Sequence, residues 1–110
     1  MFVNPGNNLH SLWDGALGQD TNTAHVLKLA AEIVAEHPPH GRPVKDPKKW
    51  IAESVRVARA EVYTFGTETG TREHSIALPA GYEDNMHRVA RERAALAGYR
   101  LAAILNDKLK

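Results

Sequence analysis

The chain has 110 residues, which is enough for one domain with a modest hydrophobic core. Its 14 basic and 13 acidic side chains nearly cancel, so bulk charge gives no argument for nucleic-acid binding. The absence of cysteine excludes a disulfide scaffold, and no apolar run is long enough to predict a membrane span. The first residues have neither a charged nor an apolar leader region, so we predict no signal peptide within this chain.

The first two predicted helices lie in the N-terminal third of the chain. A short helix is predicted over about residues 9–17, where glycines limit its length. A second helix is predicted over about 22–36, because apolar residues recur there every three or four positions. Thr21 or Thr23 is its predicted cap, and Pro38 ends it because proline cannot continue a helix.

Two further helices are predicted on either side of a Thr-, Gly- and Glu-rich loop at 64–79. The third covers about 46–63 with Asp46 as its cap, and the fourth covers about 80–109. Apolar residues with a 3.6 period predict a buried face on both helices. That face comprises Trp50, Ile51, Val55, Ala58, Val62, Tyr82, Met86, Val89, Ala90, Ala94, Ala97, Leu101, Ile104 and Leu105. Gly98, on the same face, would permit the close approach of a neighbouring helix. We therefore predict an all-α fold, a single domain over 1–110 that is a helical-bundle fragment with a long C-terminal helix.

His10 and Asp14 carry the strongest chemical signal in the chain. Their spacing of four places an imidazole and a carboxylate on one face of a helix, one turn apart. Both groups are zinc ligands, but a zinc site normally has three or four protein ligands. This spacing alone leaves two interpretations open. The pair is either part of a metal site whose other ligands are missing, or a plain ion pair on the surface.

Other polar side chains give weaker signals. His37 and His40 flank two prolines, where a solvated turn is favoured over a loop metal site. Three lysines near a helix start are favoured as a solvated face over a phosphate-binding patch; they are Lys45, Lys48 and Lys49. The isolated histidines are expected on the surface; they are His25, His74 and His87.

The segment at residues 8–14 reads Asn-Leu-His-Ser-Leu-Trp-Asp. It resembles the N-L-H-x-x-W-D signature of the zinc-dependent, single-strand-specific nucleases of the S1/P1 type. Residues 50–54 resemble a W-x-x-E-S segment of that family, and residues 97–106 resemble its A-G-x-R-L-A-x-x-L-N block. The resemblance therefore covers essentially the whole chain, with its segments in the family's order.

This resemblance implies a fold, an activity and a set of site residues. It implies hydrolysis of single-stranded DNA or RNA, and possible 3′-nucleotidase activity, at a three-zinc cluster of a secreted or periplasmic all-α protein. His10 and Asp14 correspond to two ligands of one zinc, and Asn8 and Trp13 would support the helix that carries them. The family's other ligands precede this signature, so we expect the chain to correspond to the C-terminal part of such a nuclease and to hold an incomplete site. Residues with further catalytic roles are not identified.

Two alternatives to a zinc endonuclease remain open. The chain can be a catalytically silent helical module whose unpartnered apolar faces associate with a second copy or with a complementing fragment. It can also be a hydrolase like the zinc phospholipases C, which share the superfamily fold. The C-terminal block favours the nuclease.

Overall fold

The computed structural model describes residues 1–3, 7–65 and 70–110. Those residues form no β-sheet and contain only two isolated β-bridges, so the predicted all-α class is confirmed. The long C-terminal helix is confirmed as well. The helices are α1 (Leu9–Asp14), α2 (Thr23–Glu36), α3 (Pro47–Val57), a π-helical segment (Ala58–Val62) and α4 (Tyr82–Lys108). Within the predicted loop at 64–79, residues 66–69 lie outside the described residues.

The chain divides into two compact units. The first unit comprises Met1–Gln19 and Val57–Ala90, and the second comprises Asp20–Arg56 and Arg91–Lys110. The division falls within α4, so that one helix contributes residues to both units.

The start and the end of α1 are set by side-chain and backbone hydrogen bonds. The Asn8 Oδ1 atom caps the helix by accepting from the Ser11 backbone N–H at 2.8 Å. The helix ends at Asp14, three residues before the predicted end, and residues 15–17 form a turn instead. Gly18 then has a positive φ of 89°, a conformation that glycine adopts without a Cβ clash.

A small apolar core lies in the first unit. The buried residues of this core are Val3, Leu9, Ala16, Tyr82 and Met86. The N-terminal residues reach the core as an extended piece, in which Val3 forms a parallel bridge with Ile76. Gly70 packs against this piece so closely that a Cβ atom would lie 1.9 Å from the Phe2 carbonyl oxygen.

Helices α2 and α3 of the second unit both begin at a capping side chain. The cap of α2 is Asn22, whose Oδ1 accepts from the His25 backbone N–H at 3.2 Å. The predicted caps Thr21 and Thr23 were therefore wrong. At α3, Asp46 Oδ1 accepts from the Lys48 backbone N–H at 3.0 Å, in agreement with the sequence prediction.

The predicted buried faces are buried or partly buried in the first unit, but in the second unit most of the predicted residues are exposed. Tyr82, Met86 and Val89 are buried on α4, but no residue of α3 is buried. Ile51 on α3 is 66% exposed and Leu101 on α4 is 58% exposed. Periodicity identifies an apolar face, but it cannot say whether another element covers that face.

The described residues do not make the close approach that Gly98 would permit. A Cβ atom built at this position would meet no described atom within 4 Å, so no helix approaches it closely.

Candidate metal centre

His10 and Asp14 lie together on the solvent side of α1. The His10 Nε2 atom is 3.0 Å from Asp14 Oδ2, and the two side chains are 84% and 69% exposed. Leu9, on a different face of this helix, is buried in the core of the first unit. The helix therefore presents an imidazole nitrogen and a carboxylate oxygen side by side to the solvent.

The separation of these two atoms suits part of a zinc site. Zinc bonds of about 2.0–2.2 Å at tetrahedral angles place two ligand atoms about 3.3 Å apart, so a small widening of the pair lets both atoms bind one ion. Within the described parts of the chain, however, no three His, Cys, Asp or Glu side chains are grouped to hold a metal. His10 and Asp14 thus fit two of the four positions around a zinc ion.

Trp13 connects α1 to other elements of the first unit. Its Nε1–H donates to the Tyr82 hydroxyl at 3.0 Å, and the Tyr82 hydroxyl donates to the Val62 carbonyl at 2.7 Å. The two rings meet edge to face with 6.2 Å between their centroids. Burial raises the pKa of the Tyr82 phenol, and the hydrogen bond from Trp13 opposes that shift in part. The phenol therefore stays protonated and can donate to Val62.

The carbonyl that receives this hydrogen bond belongs to the π-helical segment. There the Tyr63 backbone N–H donates to the Ala58 carbonyl at 2.9 Å, five residues back. The sequence predicted one uninterrupted α-helix to about residue 63. In the structure the α-helix ends at Val57, and a wider, π-helical turn follows it. This π-helical turn ends at Val62, whose carbonyl accepts the hydrogen bond from the Tyr82 hydroxyl. Because the same hydroxyl accepts from Trp13, the turn helps to position α1, the helix that carries His10 and Asp14.

His87 lies beside the turn that follows α1. Its Nδ1 atom is 2.9 Å from the Ala16 carbonyl oxygen, which can only accept, so Nδ1 carries the proton. The side chain is exposed, as predicted, and it does not join His10 and Asp14 in a group that could hold a metal.

The second unit contains the other predicted candidates, and none of them forms a metal-binding group among the described residues. His37 Nε2 is 4.0 Å from a Glu36 carboxylate oxygen, while His40 is exposed. Both histidines line an open cleft of about 410 Å³. Lys45 forms an ion pair with Asp107, and Lys48 and Lys49, the other lysines of the predicted cluster, are exposed.

The second unit also contains a charged cluster that the sequence reasoning missed. Arg100, only 7% exposed, donates from Nη2 to Glu53 Oε2 at 2.7 Å, and Arg93 donates to the other carboxylate oxygen. The bond from Arg100 is the main cause that holds the pKa of Glu53 below its usual range, and Arg93 adds to it. The Arg100 guanidinium also lies 5.6 Å from the centroid of the Trp50 ring. Arg93 and Arg100 are seven residues apart, two turns of one helix, and this spacing was the available signal.

Comparison with known protein families identifies the class to which this all-α chain with a His–Asp pair belongs. The sequence model of the S1/P1 nuclease family matches residues 1–110, the whole chain. The chain therefore belongs to the S1/P1 nuclease family, whose members are phosphodiester hydrolases that act on nucleic acids. Neither the search of curated proteins nor the search of solved structures gave a significant match. None of the helices in the described residues is long and apolar enough to cross a membrane.

Proposed function

We propose that this protein acts as a zinc-dependent endonuclease on single-stranded DNA or RNA, with His10 and Asp14 as ligands of one zinc ion. Family membership supports nucleic-acid hydrolysis in general. The pairing of His10 Nε2 and Asp14 Oδ2 at 3.0 Å on an exposed helix face is the observation that carries the metal assignment. We further propose 3′-nucleotidase activity and a secreted or periplasmic location, on family resemblance alone.

The roles of the chain's own residues follow from their contacts. A bound zinc ion would polarise a phosphate oxygen and lower the pKa of a coordinated water. His10 and Asp14 would hold that ion, and their exposure leaves room for a polymeric substrate. Asn8 fixes the first turn of α1, and Trp13 fixes its packing to Tyr82, so both would position the ligands without touching the ion.

Hydrolysis of single-stranded DNA with added zinc tests this function. We expect cleavage by the native chain and at least a tenfold loss with His10→Ala, because removal of one ligand costs metal affinity. His25→Ala is the matched control: His25 is an exposed histidine 2.6 Å from the Asp20 carboxylate in the second unit. No cleavage above the His10→Ala level, or an equal loss with His25→Ala, would count against the proposal.

The exposed apolar side chains of the second unit favour a second candidate function, self-association. Leu27, Ile51 and Leu101 are each more than half exposed. An apolar groove of about 310 Å³ lies beside Leu101 and Trp50. We infer that a second copy of the chain, or a complementing fragment, covers this surface, and that the protein can serve as a helical module without catalysis.

Light scattering at high micromolar protein tests self-association. We expect a dimer or larger species for the native chain and a shift towards the 12.1 kDa monomer with Ile51→Glu. Glu73→Gln, a change at an exposed residue of the first unit, is the control and should leave the mass unchanged. A strictly monomeric native chain would contradict this inference.

A further inference from the structure

We propose that a basic surface of the second unit binds the phosphate backbone of the single-stranded nucleic acid on which the protein acts. This surface, which we call the basic patch, consists of Arg42, Lys48 and Lys49. Lys45 lies between them in the sequence, but it pairs with Asp107. The choice of partner rests on the proposed function, whereas the binding itself requires no metal ion.

The near-neutral charge of the whole chain conceals an uneven division between the two units. The second unit contains eleven lysines and arginines against seven aspartates and glutamates, a formal excess of four positive charges. The first unit contains three basic and six acidic side chains, a formal excess of three negative charges. A polyanion is therefore attracted to the second unit and repelled by the first.

The basic patch lies where the loop before α3 folds back against that helix. The Trp50 Nε1–H of α3 donates to the Val44 carbonyl at 2.6 Å, which holds the loop against the helix. Arg42 lies two residues before Val44. Lys48 and Lys49 lie in the first turn of α3, directly before Trp50. The hydrogen bond therefore brings cations from the loop and from the helix to one region of the surface.

The charges of the basic patch are not neutralised by neighbouring carboxylates. Arg42, Lys48 and Lys49 are exposed, and none of them forms an ion pair with a described residue. The first turn of α3 contains no acidic side chain. Four carboxylates of the second unit already have basic partners outside the patch; they are Asp20, Glu36, Glu53 and Asp107. The patch therefore keeps three positive charges for a ligand.

The chemistry of these side chains favours a phosphate backbone as that ligand. Exposed lysine and arginine side chains contact phosphates without reading the bases, so such a surface suits a substrate of varied sequence. A polynucleotide presents successive phosphates along one strand, and several can meet one patch at once. An anionic membrane would offer similar charges, but membership of a nuclease family favours nucleic acid.

Fluorescence anisotropy of a labelled oligothymidylate, measured with the full chain and a chelator, tests the patch without cleavage. We expect Lys48→Gln/Lys49→Gln to weaken binding at least tenfold at about 50 mM salt, because each lost phosphate contact releases fewer counterions. The slope of log Kd against log salt should fall by about 0.7 for each lysine removed.

Lys28→Gln/Arg59→Gln is the matched control for the loss of charge. It removes two positive charges from exposed positions on α2 and in the first unit. The slope should stay at its native value in this variant. Circular dichroism should show unchanged helix content in both double variants, because all four side chains are exposed.

The outcomes separate this inference from the proposed function, because binding is measured without zinc. Equal losses in the two double variants, or no binding at low salt, would overturn the patch. Binding to phosphatidylserine vesicles but not to the oligonucleotide would identify an anionic membrane as the partner and would also overturn it. Patch-dependent binding by a chain without zinc-dependent cleavage would support the patch and count against the proposed function alone.

Discussion

The position of α1 depends on the hydrogen bonds of one side chain, the Tyr82 hydroxyl. It accepts from Trp13 Nε1 and donates to the Val62 carbonyl, so one oxygen atom joins three elements of the first unit. A phenylalanine at position 13 would keep most of the ring packing but lose the donor to this oxygen.

We therefore expect Trp13→Phe to lower the free energy of unfolding by about 1 kcal/mol. We also expect it to weaken the proposed zinc binding at His10 and Asp14, because α1 is held less firmly. Urea unfolding and zinc titration measure the two effects. Trp50→Phe is the matched control, since Trp50 Nε1 donates to the Val44 carbonyl at 2.6 Å in the second unit. The proposed role of Trp13 fails if both variants change zinc affinity equally.

Glu53 gives a prediction about pH. Its folded-state pKa lies below the ordinary value of 4.5, mainly because Arg100 and also Arg93 donate to its carboxylate. A carboxyl with a lowered folded pKa stabilises the protein above its unfolded pKa, and this contribution is lost as the pH falls through the folded value.

We expect Glu53→Gln to destabilise the protein near neutral pH, and the difference from the native chain to shrink as the pH falls below about 4.5. Denaturant unfolding at a series of pH values measures this difference. Glu73→Gln, at an exposed position of the first unit, is the control and should show little difference at any pH. A Glu53→Gln effect that stays constant into strong acid would contradict the assignment.

The sequence predicts some of these residues and not others. His10 and Asp14 are four residues apart, and a helix alone brings them together. Glu53 and Arg100 are 47 residues apart, and their contact depends on how α3 packs against α4 in the second unit. Local periodicity carries no information about such a pairing.

At the scale of the elements, α1 depends on contacts outside itself. It has six residues, and helices this short are marginal in isolation. Its cap, Asn8, satisfies the Ser11 backbone N–H, and its first residue, Leu9, donates to the Met1 carbonyl at 2.8 Å.

We expect Asn8→Ala to cost about 1 kcal/mol of stability and to lower the proposed zinc affinity of the His10–Asp14 pair, because the fraying of α1 separates the two side chains. Asn22→Ala removes the same kind of cap from α2 and should cost a similar amount without a change in zinc affinity. Thermal unfolding and zinc titration of both variants measure these effects. Equal zinc affinities in the two variants would exclude a special role for the α1 cap.

The ranges of the long helices are largely predictable from the sequence, but local departures from regular α-helical geometry are not. The predicted ranges for α2 and α4 lie within about two residues of the observed Thr23–Glu36 and Tyr82–Lys108. The π-helical turn before Tyr63 leaves no mark in the apolar pattern. Its hydrogen bonds are fixed by packing in the first unit.

At the scale of the whole molecule, the buried residues are distributed unevenly between the two units. Of the ten residues that are buried in the described part of the chain, all but Ile33, Ala95 and Arg100 belong to the first unit. The apolar patterns of α3 and α4 predicted a buried face on each helix. In the second unit those patterns instead form exposed surface, because only a covering element would turn an apolar stripe into a core.

We expect Met86→Ala to lower the free energy of unfolding by about 2–5 kcal/mol, because Met86 is buried in the core of the first unit. Ile51→Ala is the control and should change it by less than about 0.5 kcal/mol, because this side chain is largely exposed. Urea denaturation followed by circular dichroism measures both. A large cost for Ile51→Ala would show that the second unit buries its apolar surface in solution, as self-association predicts.

Each of the two units contains one tryptophan, so each has its own intrinsic fluorescence probe. Trp13, in the first unit, donates to a phenol, and Trp50, in the second, lies against a guanidinium. Indole fluorescence depends on such surroundings, so emission from Trp50→Phe reports the first unit alone, and emission from Trp13→Phe reports the second. No dye is needed, and the first of these signals should respond when an ion binds to α1.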